Sequence, residues 1–227
     1  MSNPLQMVVF DVAGTVVEDR DEVNRCLREA LENAGVPVSR NQVNAVMGLA
    51  KPEAIERLLD GAGRAADAEA VSAIHDDFVS RMLADYRTSA EVREVPGTSQ
   101  LFRDLRRAGI AVALDTGFSR QILDILLERL GWQEQGLISV SIASDEVLRG
   151  RPHPDMIQSL MKQCQVVNPR RIAKVGDAVA DLLEGTQAGC SRVIGVCWGT
   201  HRRHELEGFP HTDLVENHAE LRACLGL

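Results

Sequence analysis

The apolar positions along the chain change period twice. Residues 5–10 (LQMVVF) form a short apolar run that stops at Asp11. The run is too short for a core helix and rich in valine, so it predicts a buried strand. Asp11-Val-Ala-Gly-Thr15 predicts a glycine-bearing turn directly after it. From residue 20 to about 86 the apolar residues recur at three and four: Val23, Leu27, Ala30 and Leu31, then Val43, Val46 and Met47, then Ile55, Leu58 and Leu59, then Ile74, Phe78, Met82 and Leu83. That spacing predicts helices and no strand. Residues 61–70, rich in Ala, Asp and Glu, read as a solvated loop entering a helix.

Pro96-Gly97-Thr98 ends the helical stretch and starts a helix over 99–108. Strands are then predicted at 110–114, 138–142, 172–175 and 192–196, alternating with helices at 120–130, 155–164 and 181–188. Alternation of this kind predicts an α/β fold, a parallel sheet with helices on both faces. The sheet domain is expected in two pieces, 1–17 and 93–227, with residues 18–92 forming a helical cap inserted after the first strand. An insert there stands over the strand C-termini, where open α/β sheets bind ligands, and reads as a lid.

Composition narrows the classes. The 227 residues are 44% hydrophobic and 26% charged, which excludes a disordered chain. A formal net charge of −8 disfavours nucleic acid and anionic membrane as partners, while a locally cationic pocket still admits an anionic small substrate. The cysteines, Cys26, Cys164, Cys190, Cys197 and Cys224, are odd in number and lack CxxC spacing. Neither a disulfide framework nor a zinc site is expected, and a reducing, cytoplasmic setting fits. No basic segment precedes an apolar run at the N-terminus, so no signal peptide is expected, and no apolar stretch approaches a membrane span. His201 and His204 stand three apart without a third ligand and are expected at an exposed helix start. Trp132 and Trp198 read as packing or rim residues, and His153 as loop structure.

The chemistry-bearing residues gather at predicted strand ends. The first strand ends in Asp11, the second in Asp115-Thr116-Gly117, and a later one in Gly176-Asp177 with Asp181 four residues on. These ends share one edge of a parallel sheet. Carboxylates, a hydroxyl and glycine turns converging there suit Mg²⁺, which takes hard oxygens and substrate phosphate as ligands. Thr116 and Gly117 stand where free backbone N–H groups receive phosphate oxygens.

DVAGTV, LDTGF, GRPHP and KVGDAVAD resemble, in order, the four motifs of the haloacid dehalogenase superfamily. The resemblance covers nearly the whole chain and implies a Rossmann-like core carrying the cap. It implies Asp11 as a nucleophile that forms an aspartyl-phosphate. It also implies Mg²⁺ held by Asp11, the Ala13 carbonyl and Asp177 with Asp181 supporting, and phosphoryl oxygens held by Thr116, Gly117 and Arg151. Most phosphatases of the superfamily have an Asp two residues after the nucleophile, which protonates the leaving alcohol; here the residue is Ala13. Where Lys is usual in the third motif, the chain has Arg151.

Ala13 with Arg151 is similar to the phosphonatase-like branch, phosphonoacetaldehyde hydrolase and its relatives. That branch carries a cap Lys that forms a Schiff base with the substrate, and Met47-Gly48-Leu49-Ala50-Lys51 resembles its segment. Lys51 is the only Lys before Lys162. An imine at Lys51 makes an electron sink for a breaking C–P bond, so no acid is needed at position 13. It also requires the amine to lose its proton, and therefore a pKa below the ordinary value of about 10.4. Phosphonoacetaldehyde hydrolases have His three residues after this Lys and Tyr after the Thr-Gly of the second motif; this chain has Ala54 and Phe118. The expected partner is a small phosphonate or phosphate, and the helix over 20–34 is by analogy a candidate homodimer face. Two other readings stand beside this one: a phosphatase acting on a small phosphate ester, and a non-catalytic binder of a phosphorylated ligand.

Overall fold

The computed structural model describes residues 5–227. β1 (Met7–Phe10) is buried along its whole length, as an unbroken apolar run requires in the middle of a parallel sheet. It is flanked by β2 (Ala111–Thr116) on one side and β4 (Ile172–Gly176) on the other. β3 (Val140–Ala143), β5 (Arg192–Val196) and β6 (Asp213–Val215) complete a sheet of order β3-β2-β1-β4-β5-β6, with every pairing parallel. The chain leaves β1 in both directions, so its C-terminal end is the topological switch point where such sheets bind ligands.

The period of two along the strands explains how charge enters this core. Val9 lies opposite Ala113 in β2 and Lys174 in β4, and Phe10 opposite Leu114 and Val175. Val9 and Asp11, Ala113 and Asp115, and Ile172 and Lys174 therefore share one face. The lower part of that face is apolar, packed with Met156, Ile157 and Leu160 of α7 (Asp155–Gln163). Its upper part carries the charged groups.

Four helices stand between β1 and β2: α1 (Glu22–Asn33), α2 (Arg40–Asn44), α3 (Lys51–Gly61) and α4 (Ala68–Thr88). The apolar stripes expected there are buried, including Val23, Leu27, Leu31, Ile55, Leu58, Phe78 and Met82. α4 packs against α6 (Arg120–Leu130) of the sheet domain, so the insert is a helical cap after the first strand. α5 (Thr98–Arg107) and α8 (Val179–Ala188) complete the crossovers. The short α9 (Arg203–Leu206) carries His204, exposed as expected of a helix start, whereas β6 and α10 (His218–Leu225) were not expected. β6 is three residues beginning with an Asp, with no apolar run to betray it. His201 is also corrected. It is buried rather than exposed, and it precedes α9 instead of starting it. Among the described residues no helix is long and apolar enough to cross a membrane.

Candidate active site

Asp11 follows β1, and its backbone N–H donates to Val175 O of the neighbouring strand at 2.9 Å, which holds it at the sheet edge. Thr116 ends β2, and its Oγ1 accepts from Phe118 N at 3.2 Å, closing the turn. Asp177 follows β4; its Oδ1 accepts from Thr15 Oγ1 at 3.2 Å and its Oδ2 from Thr200 N at 2.6 Å. Asp181 lies in the first turn of α8, where its Oδ2 accepts from Ala178 N at 3.1 Å. Backbone comes very near Asp177: a Cβ on Gly14 or Gly199 would strike its carboxylate. His201 belongs to the loop that covers it, with Nδ1 3.2 Å from Asp177 O.

Arg151 is wholly buried beneath this edge. Its Nη1 donates to Asp11 Oδ1 at 2.7 Å and lies 3.0 Å from Asp181 Oδ1. Its Nη2 pairs with Asp115 and its Nε with Glu184 Oε2 at 3.1 Å. Lys174, equally buried, pairs with Asp115 and stands 3.1 Å from both Asp181 and Glu184. Burial alone would raise Asp115; Arg151 and Lys174 override it and hold the carboxyl below its usual range. Glu184 is pushed up to about 8, by burial first and by the Asp115 charge second. Lys174 and Glu184 carried no expectation from the sequence. The available signal was a lysine inside an apolar strand, which demands a buried counter-charge.

Lys51 is the first residue of α3 and is only 3% exposed. Its Nζ sits 5.2 Å from the ring centre of Phe118 and 5.9 Å from that of Phe78, and 3.4 Å from Leu49 O. Burial pulls its pKa down to about 8, against the opposing pull of the Asp11 carboxylate. One pocket is lined by Lys51 together with Asp11, Ala13, Thr116, Gly117, Arg151 and Asp177. All the residues singled out from the sequence are thus gathered in one place, Asp181 just beneath it. The free space is about 20 Å³, enough for a water and not for a substrate. The segment before α3 sits tightly on the sheet domain: a Cβ on Gly117 would collide with Leu49 O, and one on Gly150 would lie 3.0 Å from Ala50 Cβ. The cap is therefore closed, and substrate entry requires it to lift.

The residues fit a divalent cation. Asp11, Asp177 and Asp181 offer oxygens within 4.8 Å of one another. Among the described residues, five buried carboxylates, Asp11, Asp115, Asp177, Asp181 and Glu184, face three buried Lys and Arg side chains, Lys51, Arg151 and Lys174. The deficit is two charges. Asp181 Oδ1 accepts no hydrogen bond, despite the nearby Arg151 and Lys174. Without a further cation, protons make up the difference. Asp11 is raised to about 7, by burial first and against Arg151, with Asp181 and Asp177 adding to the rise; Asp177 is raised too, chiefly by burial. The second acidic group, Asp115, Asp181 and Glu184, is already filled by Arg151 and Lys174.

Phosphonoacetaldehyde hydrolase of Latilactobacillus sakei is 30% identical over 199 residues, spanning 82% of this chain and 73% of its own. A phosphoglycolate phosphatase of Cereibacter sphaeroides is 28% identical, spanning 96% of both chains. The crystal structure of a phosphonoacetaldehyde hydrolase-like protein from Oleispira antarctica superposes with a TM-score of 0.86 at 21% identity, covering 99% of this chain and 92% of its own, which establishes the shared fold. The family model of the haloacid dehalogenase-like hydrolases matches residues 5–189. The four motifs, the parallel sheet and that match agree: the chain belongs to the haloacid dehalogenase-like hydrolases.

Proposed function

We propose that this hydrolase is a Mg²⁺-dependent, phosphonatase-like enzyme that cleaves the C–P bond of a small phosphonate bearing an aldehyde, of the phosphonoacetaldehyde type. The observation that carries the reading is the buried Lys51 amine sharing a pocket with Asp11, where position 13 has no acid. With a pKa near 8, roughly a quarter of Lys51 is neutral at pH 7.5, against about one part in a thousand at the ordinary value.

In this mechanism the neutral Lys51 amine adds to the aldehyde carbon, and loss of water leaves an iminium. Asp11 attacks phosphorus in line with the C–P bond. The bonding pair of that bond moves into the iminium and gives an enamine, so no alkoxide or bare carbanion departs. Protonation at carbon and hydrolysis return the aldehyde and the Lys51 amine, and water releases phosphate from Asp11. Asp11, the Ala13 carbonyl and Asp177 would hold Mg²⁺, with Asp181 supporting. When bound, Mg²⁺ offsets the repulsion between the phosphonate oxygens and the attacking carboxylate. Thr116 and the turn N–H at Gly117 hold phosphoryl oxygens, and Arg151 fixes the Asp11 carboxylate for attack. The closed cap excludes water while the iminium exists.

A second reading, a phosphatase acting on a small phosphate ester, is favoured by the phosphoglycolate phosphatase relatives of similar identity. Ala13 weighs against it, because an ester's alkoxide leaves poorly without an acid, a loss of about 10²–10⁴-fold. The discriminating experiment is a panel of phosphonates and phosphate esters assayed on wild type and Lys51→Arg. The C–P reading expects turnover of a phosphonoaldehyde that Lys51→Arg loses by about 10³-fold or more. Ester turnover that survives Lys51→Arg establishes the phosphatase instead.

A further inference from the structure

Imine chemistry needs a proton donor as well as an amine. The carbinolamine formed by Lys51 loses its oxygen only as water, so something in the pocket must protonate that oxygen. Position 54, one turn along α3 from Lys51, is an alanine. His75 lines a separate cleft of about 560 Å³ and is not part of the Lys51 pocket. Of the carboxyl groups lining the Lys51 pocket, Asp11 and Asp177 are committed to the phosphoryl group and its cation. The remaining one is Asp19.

Asp19 sits on the strand-to-cap connection, just before α1. Its Oδ1 accepts from Val23 N at 3.3 Å, which aims the carboxyl from the first turn of that helix. It lines two further spaces besides the Lys51 pocket. One is a cleft of about 280 Å³ with Arg20 and Trp198, the other a cleft of about 380 Å³ with Arg40 and Thr200. Asp19 thus stands at the wall between the closed reaction pocket and outer, water-accessible space. A group there can give a proton inward and recover one from outside. Burial and the Glu22 carboxyl beside it push its pKa up to about 7, so a useful fraction carries a proton at neutral pH.

Building on the imine reading above, we infer that Asp19 is the catalytic acid of Schiff-base formation: its carboxyl protonates the carbinolamine oxygen as Lys51 expels it. In that step the proton leaves Asp19 and the C–O bond breaks with its electron pair on oxygen, so water departs. The Lys51 nitrogen lone pair forms the C=N bond. Asp19 is left as a carboxylate, a counter-charge for the new iminium. In the reverse direction the same carboxylate takes a proton from the water that hydrolyses the final imine.

The test measures how fast the imine forms. Phosphonoacetaldehyde and Mg²⁺ are mixed with wild type, Asp19→Asn, Asp19→Glu and Asp19→Ala, each with its melting temperature recorded, and samples are quenched in borohydride over time. Asp19→Asn is expected to slow both trapping and kcat by about 10²-fold with KM nearly unchanged. Asp19→Glu should recover most of that loss, and Asp19→Ala should be accelerated by added imidazolium. Wild-type trapping matched by Asp19→Asn within threefold overturns the role of Asp19 and leaves the imine intact. Absence of any Lys51 adduct in wild type overturns the imine, and Asp19's part in it.

Discussion

A lysine amine buried beside two aromatic rings should weaken the fold, and Lys51→Met measures by how much. Wild-type Lys51 has its pKa drawn from 10.5 to about 8, with burial the leading cause. Holding the charged amine there costs the folded state about 3 kcal/mol. The sign follows from proton binding. Between pH 8 and 10.5 the unfolded chain binds more protons at this site than the folded one, so wild-type stability rises with pH across that window. Below pH 8 the full penalty applies. Methionine has similar length, carries no charge and packs well against the Phe78 and Phe118 rings. Lys51→Met is therefore expected to be more stable than wild type by about 2–3 kcal/mol at pH 7, or roughly 5–10 °C in Tm for a chain of this size. The gain should shrink steadily as pH approaches 10.5. Urea denaturation of both proteins in metal-free buffer at pH 7, 8.5 and 10 reads this directly, provided the slopes match. A variant no more stable than wild type at pH 7, or a difference independent of pH, refutes the account of Lys51 as a buried, deprotonating amine.

Arg151→Met leaves Asp11 without its guanidinium and Asp115 and Glu184 with Lys174 alone, and should cost about 3–5 kcal/mol in thermal or urea unfolding. Arg151→Lys should lose less, because one charge stays. Gly117→Ala drives a methyl into Leu49 O and should push the cap off the sheet domain, lowering kcat/KM by about tenfold or more at near-wild-type Tm; full activity would contradict the tight cap contact. EDTA should abolish turnover and lower Tm by about several degrees, with Mg²⁺ restoring both, since the carboxylate excess favours a bound divalent cation.

Much of this was legible in the residues because the fold is built from periodic elements. The all-apolar β1, the alternation after Gly109 and the cap stripes announced the sheet and its insert. The strand-end acids announced the site, because a parallel sheet brings those ends together whatever the loops do. The charged layer under the site was harder to read. Lys174 and Glu184 lie on different elements, and only the shared strand face and the packing of α8 against β4 make them partners. Asp19 and His201 were missed or misjudged for a related reason. Each sits in a connection with no period, and its surroundings come from segments far off in sequence: the pocket shared with Lys51 for one, Asp177 for the other. Burial of Lys51 itself depended on Phe78 from α4 and Phe118 from the sheet domain closing around it.

The central claim is a covalent bond between substrate and cap, and peptide mass mapping after borohydride reduction in the presence of phosphonoacetaldehyde tests it most directly. The account predicts a reduced adduct on Lys51 with matching loss of activity. A protein that turns over the phosphonate yet carries no adduct on Lys51, or carries it on Lys162 or Lys174 instead, would contradict it.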